Sequence, residues 1–161
     1  MYIVDSENHR IQKFTDDGGF ITRWGTGDGN GEFNSPRGIA LDNEDYVYVA
    51  DCNNNRIQKF RSDGEFIAKW TYQYEQQKKQ EIIQVLLSPT RIAINSKNEI
   101  YVSDENHHSI VIFDTNGNFK KELRYEGVMM TPNGIAFDKS DNLFIANTEG
   151  NNILKIDKNY E

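Results

Sequence analysis

Three aspartates and an asparagine return at one place in this chain. Asp5, Asp51, Asp104 and Asn147 each close a short apolar run: "YIVD", "YVAD", "YVSD" and "FIAN". Carboxylates ringed about an axis could hold a hard cation such as Ca²⁺. An Asp at a strand end also accepts hydrogen bonds from the backbone N–H groups of the turn that follows, and Asn does this equally well. Asn147 fits the second role, so these residues are read as turn anchors. The histidines are His9, His107 and His108, all in polar turns. Zinc wants three or four convergent ligands, whereas adjacent His107 and His108 point in different directions. No nucleophile–base pair stands out either. No catalytic residue, metal ligand or cofactor is therefore assigned, with Ca²⁺ or Zn²⁺ only as disfavoured options.

"GTGDGNGEF", residues 25–33, has the glycines of a phosphate cradle but no Lys-Ser/Thr behind it and no helix to open. As a calcium loop it starts with Asp28, Asn30 and Glu32. Phe33 then stands where a glycine is needed, and Ile39 where a bidentate Glu belongs. It reads as a linker. Arg37, Thr90 and Asn133 share one position after Pro36, Pro89 and Pro132, and Arg91 follows one step later. Two guanidinium groups at one rim suit a carboxylate or phosphate, which they grip through paired N–H donors. Arg10 and Arg56 lie in the turns beside the repeated Asp and are read as its structural partners.

These residues recur because the sequence does. "YIVDSENHRIQKF" and "YVADCNNNRIQKF" agree at eight of thirteen positions, and two looser copies follow. The anchors Tyr2, Tyr48, Tyr101 and Phe144 are spaced by 46, 53 and 43 residues. Before the last three copies stand "SPRGIALD", "SPTRIAIN" and "TPNGIAFD". After the first three come Asp17-Gly18, Asp63-Gly64 and Asn116-Gly117, the dipeptides of a two-residue hairpin turn with two positive-φ positions. Short strands between turn signals, at a period of 40–50 residues, describe four-stranded antiparallel blades. One unit reads as strand A over 38–42, B over 47–51, C over 56–61 and D over 65–70.

The pattern P-x-G-I-A-x-D, Y-V-A-D, N-x-R-I-Q-x-F, D-G-x-F resembles the NHL-repeat family. The resemblance implies a β-propeller. It also implies that strand A lines a central channel and that one loop-rich face carries the ligand or partner. Arg37, Thr90, Arg91 and Asn133 would then rim the channel, and the B–C turns would bring Asn55, His107, His108 and Asn152 to the same face.

Counting strands gives three, four, four and three, or three and a half blades. The divisions are a partial blade over 1–33, blades over 34–71 and 88–125, and a partial blade over 131–161. Two origins are open: a fragment whose remaining blades belong to a longer chain, or a homodimer or higher assembly that closes the ring. In the second, strand A over 134–138 completes the partner's first sheet in a six-bladed ring, or the short sheets stay separate in an eight-bladed one. The stretch "TYQYEQQKKQEIIQVLLSP" interrupts the repeat. Its Gln, Glu and Lys followed by apolar residues predict a short helix over 72–87, with Tyr72, Tyr74, Ile82 and Ile83 available to a ligand or partner.

The 161 residues carry a net charge of −7, which disfavours nucleic acid. No apolar run is long enough for a transmembrane helix. The start lacks a charged segment followed by an apolar one, and the single Cys52 fits a reducing compartment, so a cytoplasmic location is expected. The function expected is non-enzymatic: a binding or scaffold module for protein, peptide or glycan. The alternative implied by the family is a metal-dependent lyase- or lactonase-like enzyme at the channel mouth.

Overall fold

The computed structural model describes residues 1–71, 73–76, 81–84, 86 and 88–160, with backbone alone over 73–76 and 81–84. Four antiparallel sheets follow one another along the chain. The first holds β1 (Tyr2–Asp5), β2 (Arg10–Phe14) and β3 (Phe20–Trp24). The second holds β4 (Pro36–Leu41), β5 (Val47–Asp51), β6 (Arg56–Phe60) and β7 (Phe66–Trp70). A separate hairpin of β8 (Gln73–Gln76) and β9 (Glu81–Gln84) precedes the third sheet. That sheet contains β10 (Pro89–Ile94), β11 (Ile100–Asp104), β12 (Ser109–Phe113) and β13 (Phe119–Leu123). The fourth holds β14 (Pro132–Phe137), β15 (Leu143–Asn147) and β16 (Asn152–Ile156). Each sheet is a meander in sequence order, which makes the chain an all-β portion of a propeller.

Strands five residues long cannot stand alone in water. They persist because both faces of each interior sheet are apolar and each packs on its neighbour. Tyr48, Ala50 and Ile57 of the second sheet meet Ile100, Val102 and Phe113 of the third. Tyr101, Ile110 and Leu123 meet Leu143, Ile145 and Ile156 of the fourth. The strands β5, β11 and β12 are buried along their whole length. Alternation of polar and apolar residues is weak there, as expected for strands covered on both faces.

The first strands of the last three sheets form the hub. Gly38 sits so close to the next first strand that an added Cβ would lie 2.7 Å from the Arg91 Cα. Outer strands meet differently: the final tryptophan of each of the first two sheets covers the next hairpin turn. A Cβ on Gly64 would meet Trp24 at 2.9 Å, and one on Gly117 would meet Trp70 at 2.7 Å. At the last junction the sizes are exchanged. Leu123 stands in the tryptophan position, and Tyr160, at φ 71°, stands where the glycines are.

Two expectations are corrected. The segment over 72–87 is not a helix where it is described: β8 and β9 pair as a hairpin, Gln73 opposite Gln84 and Gln76 opposite Glu81. Ile82 and Ile83 are β-branched and favour an extended chain. A lone short helix with little packing is marginal in any case. Tyr72 and residues 77–80 lie outside the described residues. The C–D turns also differ, because only the glycine of each pair takes positive φ: Gly18 at 90°, Gly64 at 96° and Gly117 at 84°. With Gly18 N–H bonded to Thr15 O at 3.1 Å and Thr15 N–H to Gly19 O at 2.8 Å, each turn is a type I turn closed by a glycine bulge.

Candidate functional site: the loop face and inner rim

The four B–C turns share one construction. Ser6–Asn8 and Cys52–Asn54 are single 3-10 turns, and each turn ends on a left-handed residue: His9, Asn55, His108 and Asn151 at φ 51–55°. Asn and His tolerate this region better than most residues. Two residues expected at the ligand face, Asn55 and His108, therefore carry a conformational duty as turn closers.

The repeated Asp or Asn anchors each turn and, in the second and fourth sheets, the linker beneath it. Asp51 is fully buried and accepts from Arg56 Nε at 2.6 Å, Asn54 Nδ2 at 2.9 Å, Gln58 Nε2 at 3.0 Å and Asn34 N–H at 2.8 Å. Arg56 then donates to the carbonyls of Asp28, Gly29 and Glu32 at 3.0, 2.8 and 2.8 Å. The glycine-rich stretch is thus the D–A linker, wrapped around a buried guanidinium. Asn147 does the same work without charge, accepting from Met130 N–H at 2.8 Å and Thr131 N–H at 3.2 Å and donating to Val128 O at 2.8 Å. Asn152, exposed, accepts from Asn147 Nδ2 at 2.9 Å. Asp5 keeps the local half of the arrangement. It accepts from Asn8 at 2.9 Å and from Arg10 Nε at 2.7 Å, and these bonds hold its carboxyl below the usual range. Asp104 receives His107 N–H and lies 3.2 Å from His107 Nδ1, which ties that histidine to the turn.

The inner rim brings Arg37 and Arg91 together. Arg91 Nη1 donates to the Arg37 carbonyl at 3.0 Å and to the Thr90 carbonyl at 3.2 Å. The Arg37 side chain is 46% exposed, with Glu105 Oε2 at a long 3.7 Å. Among the described residues, no carboxylate lies within ion-pair distance of Arg91. Thr90 is buried, its hydroxyl donating to Ser88 O at 3.0 Å, so it supports the rim from behind. Asn133 joins through Ser103, whose Oγ accepts from Arg91 N–H and donates to Asn133 O, both at 3.0 Å. Ser103 was not anticipated. A serine where the other copies have Val4, Ala50 and Ala146 was the available signal. Tyr74, Ile82 and Ile83 belong to the separate hairpin, and their side chains lie outside what is described. Among the described residues, no three His, Cys, Asp or Glu side chains converge as a metal site requires.

The family model for the NHL repeat matches residues 33–60 and 86–113, the linker end and first three strands of the two complete sheets. These stretches are NHL repeats. No curated protein matches the chain in sequence. Solved structures similar to it are propeller proteins. Virginiamycin B lyase from Staphylococcus aureus shares 19% identity at a TM-score of 0.77, over 99% of this chain and 49% of its own. A streptogramin B lyase shares 20% at 0.72, over 99% and 51%. A chain of a nidogen/laminin complex shares 20% at 0.69, over 97% and 54%. The chain thus spans about half the length of each, and at such identities the likeness is one of fold.

Proposed function

We propose that this chain is a non-enzymatic binding module that recognises a protein or peptide on its loop-rich face, through carboxylates held at the inner rim. The observation that carries the reading is the Arg37–Arg91 pair. One guanidinium is half exposed against a distant acid, and the other contacts only carbonyls among the described residues. On a chain of net charge −7 this is a local positive spot at the hub, fixed by the Ser103 link to the neighbouring strand. Arginine is suited to such recognition because its planar donors match a carboxylate in two contacts at once. The nidogen/laminin complex among the similar structures supports protein binding as a use of this fold.

The test compares acidic and basic versions of one extended peptide by fluorescence anisotropy. The acidic version is expected to bind, to weaken with salt, and to lose affinity in the Arg37→Ala/Arg91→Ala variant. Equal binding of both versions, or an unchanged affinity in the variant, refutes the assignment.

A further inference from the structure

His9 does more than close its turn. Its Nδ1 accepts the Ser35 N–H at 2.9 Å, 26 residues further along the chain. A backbone N–H only donates, so this nitrogen carries no hydrogen and the ring is the tautomer protonated at Nε2. Beside it, Ser6 Oγ donates to Pro36 O at 2.6 Å. The B–C turn of the first sheet thus grips the entry to β4 at two consecutive residues.

That entry differs from the other two. Ser35, Ser88 and Thr131 each precede a hub proline, and among these described residues Ser35 alone has positive φ, at 50°. The residue before a proline is pushed towards extended backbone, and left-handed serine costs energy that glycine does not. At the third and fourth sheets the carbonyl before the proline is bonded, Ser88 O by Glu105 N–H at 3.4 Å and Thr131 O by Thr148 N–H at 2.9 Å. At the second sheet the bond moves back to Asn34 O, which accepts from Asn53 N–H at 3.1 Å. His9 therefore holds a strained residue in place. Arg37 lies two positions on, and its carbonyl receives Arg91 Nη1 at 3.0 Å. A line of contacts runs from the His9 ring to both rim arginines.

Imidazole is the side chain that ordinarily gains a proton between pH 8 and 5. The added hydrogen goes to Nδ1 and removes the acceptor that Ser35 uses. The charged groups on the elements around the ring are Asp5, Glu7 and Arg10 in its own sheet, Asp28 and Glu32 in the linker, Arg37, Asp51 and Arg56 in the second sheet, and Glu105 beyond Arg37. Asp5 pairs with Arg10 and Asp51 with Arg56, Glu32 accepts Gly29 N–H at 2.8 Å, and Arg37 faces Glu105. Among the described residues no carboxylate lies within ion-pair distance of the His9 ring, so no ion pair keeps the protonated ring in place. We propose that His9 is a positioning residue for the rim. When neutral it holds Ser35 and so sets Arg37 and Arg91; when protonated it releases them and weakens the grip on an acidic peptide. The effect on the peptide rests on the binding reading above.

The experiment compares the whole wild-type chain with His9→Asn. Asparagine carries Oδ1 on Cγ where histidine carries Nδ1, does not titrate, and already closes this turn at Asn55 and Asn151. Hydrogen exchange by NMR reads the Ser35 amide without peptide, corrected for the intrinsic effect of pH. Its protection is expected to fall about fivefold or more from pH 7.5 to 5.5 in the wild type, as for the loss of one net hydrogen bond, and to stay level in His9→Asn. By anisotropy the acidic peptide should lose affinity in the wild type relative to His9→Asn; its carboxylates stay largely ionised over this range. His107 and His108 are present in both proteins, so the difference isolates His9. Level Ser35 protection in the wild type or an equal fall in both proteins overturns the proposal. So does wild-type binding that tightens more than that of His9→Asn, because the charge gained at His9 then outweighs the clasp. No binding at pH 7.5 refutes the rim reading instead, and the Ser35 amide still decides the clasp.

Discussion

Arg56 and Arg10 occupy the same place in consecutive repeats, yet their surroundings differ. The Arg56 side chain is 7% exposed, paired with Asp51 at 2.6 Å, and holds three linker carbonyls within 3.0 Å. Arg10 is 27% exposed and pairs with Asp5 at 2.7 Å. Arg56→Met keeps the aliphatic stem but leaves a buried carboxylate without its cation and takes one donor from each of three carbonyls, of which Glu32 O keeps Gln58 Nε2 at 2.6 Å and Gly29 O keeps the Glu32 N–H at 3.3 Å. Breaking a buried pair from one side costs about 3–5 kcal/mol. Asp51 keeps Asn34 N–H, Asn54 and Gln58, so the lower end, about 3 kcal/mol, is expected. Arg10→Met removes a partly solvated pair worth about 0–1 kcal/mol. In a chain this size 1 kcal/mol moves the midpoint by about 2–4 °C, so the two variants should melt roughly 6–12 °C and at most about 4 °C lower. Urea titration followed by tryptophan fluorescence measures both, since Trp24 leads directly into the linker. Equal losses in the two variants would refute the reasoning, because the linker carbonyls would then contribute nothing.

Gly117→Ala should cost about 2 kcal/mol or more, since the residue sits at φ 84° and its new methyl would lie 2.7 Å from the Trp70 ring; thermal melting checks this. Ser103→Ala strands the Arg91 N–H and Asn133 carbonyl, so a loss of about 1–3 kcal/mol is expected in urea titration. The carboxyls of Asp5, Asp114 and Asp138 are held below their usual range. Side-chain bonds from Asn8 and Arg10 do this for Asp5, and from Asn142 for Asp138. At Asp114, burial opposes the shift and is outweighed by Asn118. Their contribution is complete above the ordinary carboxylate pKa of about 4 and is lost as pH falls through the lower folded values. Melting temperature should therefore drop below about pH 4, and Asp138→Asn should flatten that slope.

The propeller and its strand order were legible because a repeat states the same apolar pattern several times, so local ambiguity averages out. The role of Asp51 and Arg56 followed from the same logic, as did the assignment of residues 25–33 to a linker. The pairing of β8 with β9 was not legible. Gln, Glu and Lys favour helix, but such propensity is overridden by context, and the pairing of β8 with β9 depends on the path between two sheets. The turns escaped for a related reason: Asp-Gly suits both a two-residue turn and a glycine bulge, and the register of β2 with β3 selects the second.

The sequence by itself determined the strands, their order and the anchors at each turn, all of which are local or repeated in register. Only the tertiary structure decided how neighbouring sheets meet. Trp24 rests on Gly64 and Trp70 on Gly117, while Leu123 and Tyr160 exchange those sizes at the last junction. Ser103 joins the hub strands β10 and β14, and Asn133 lies 30 residues beyond it in sequence. Such pairings depend on the stacking distance between sheets, which is fixed by close packing across the interface and is written in no single repeat.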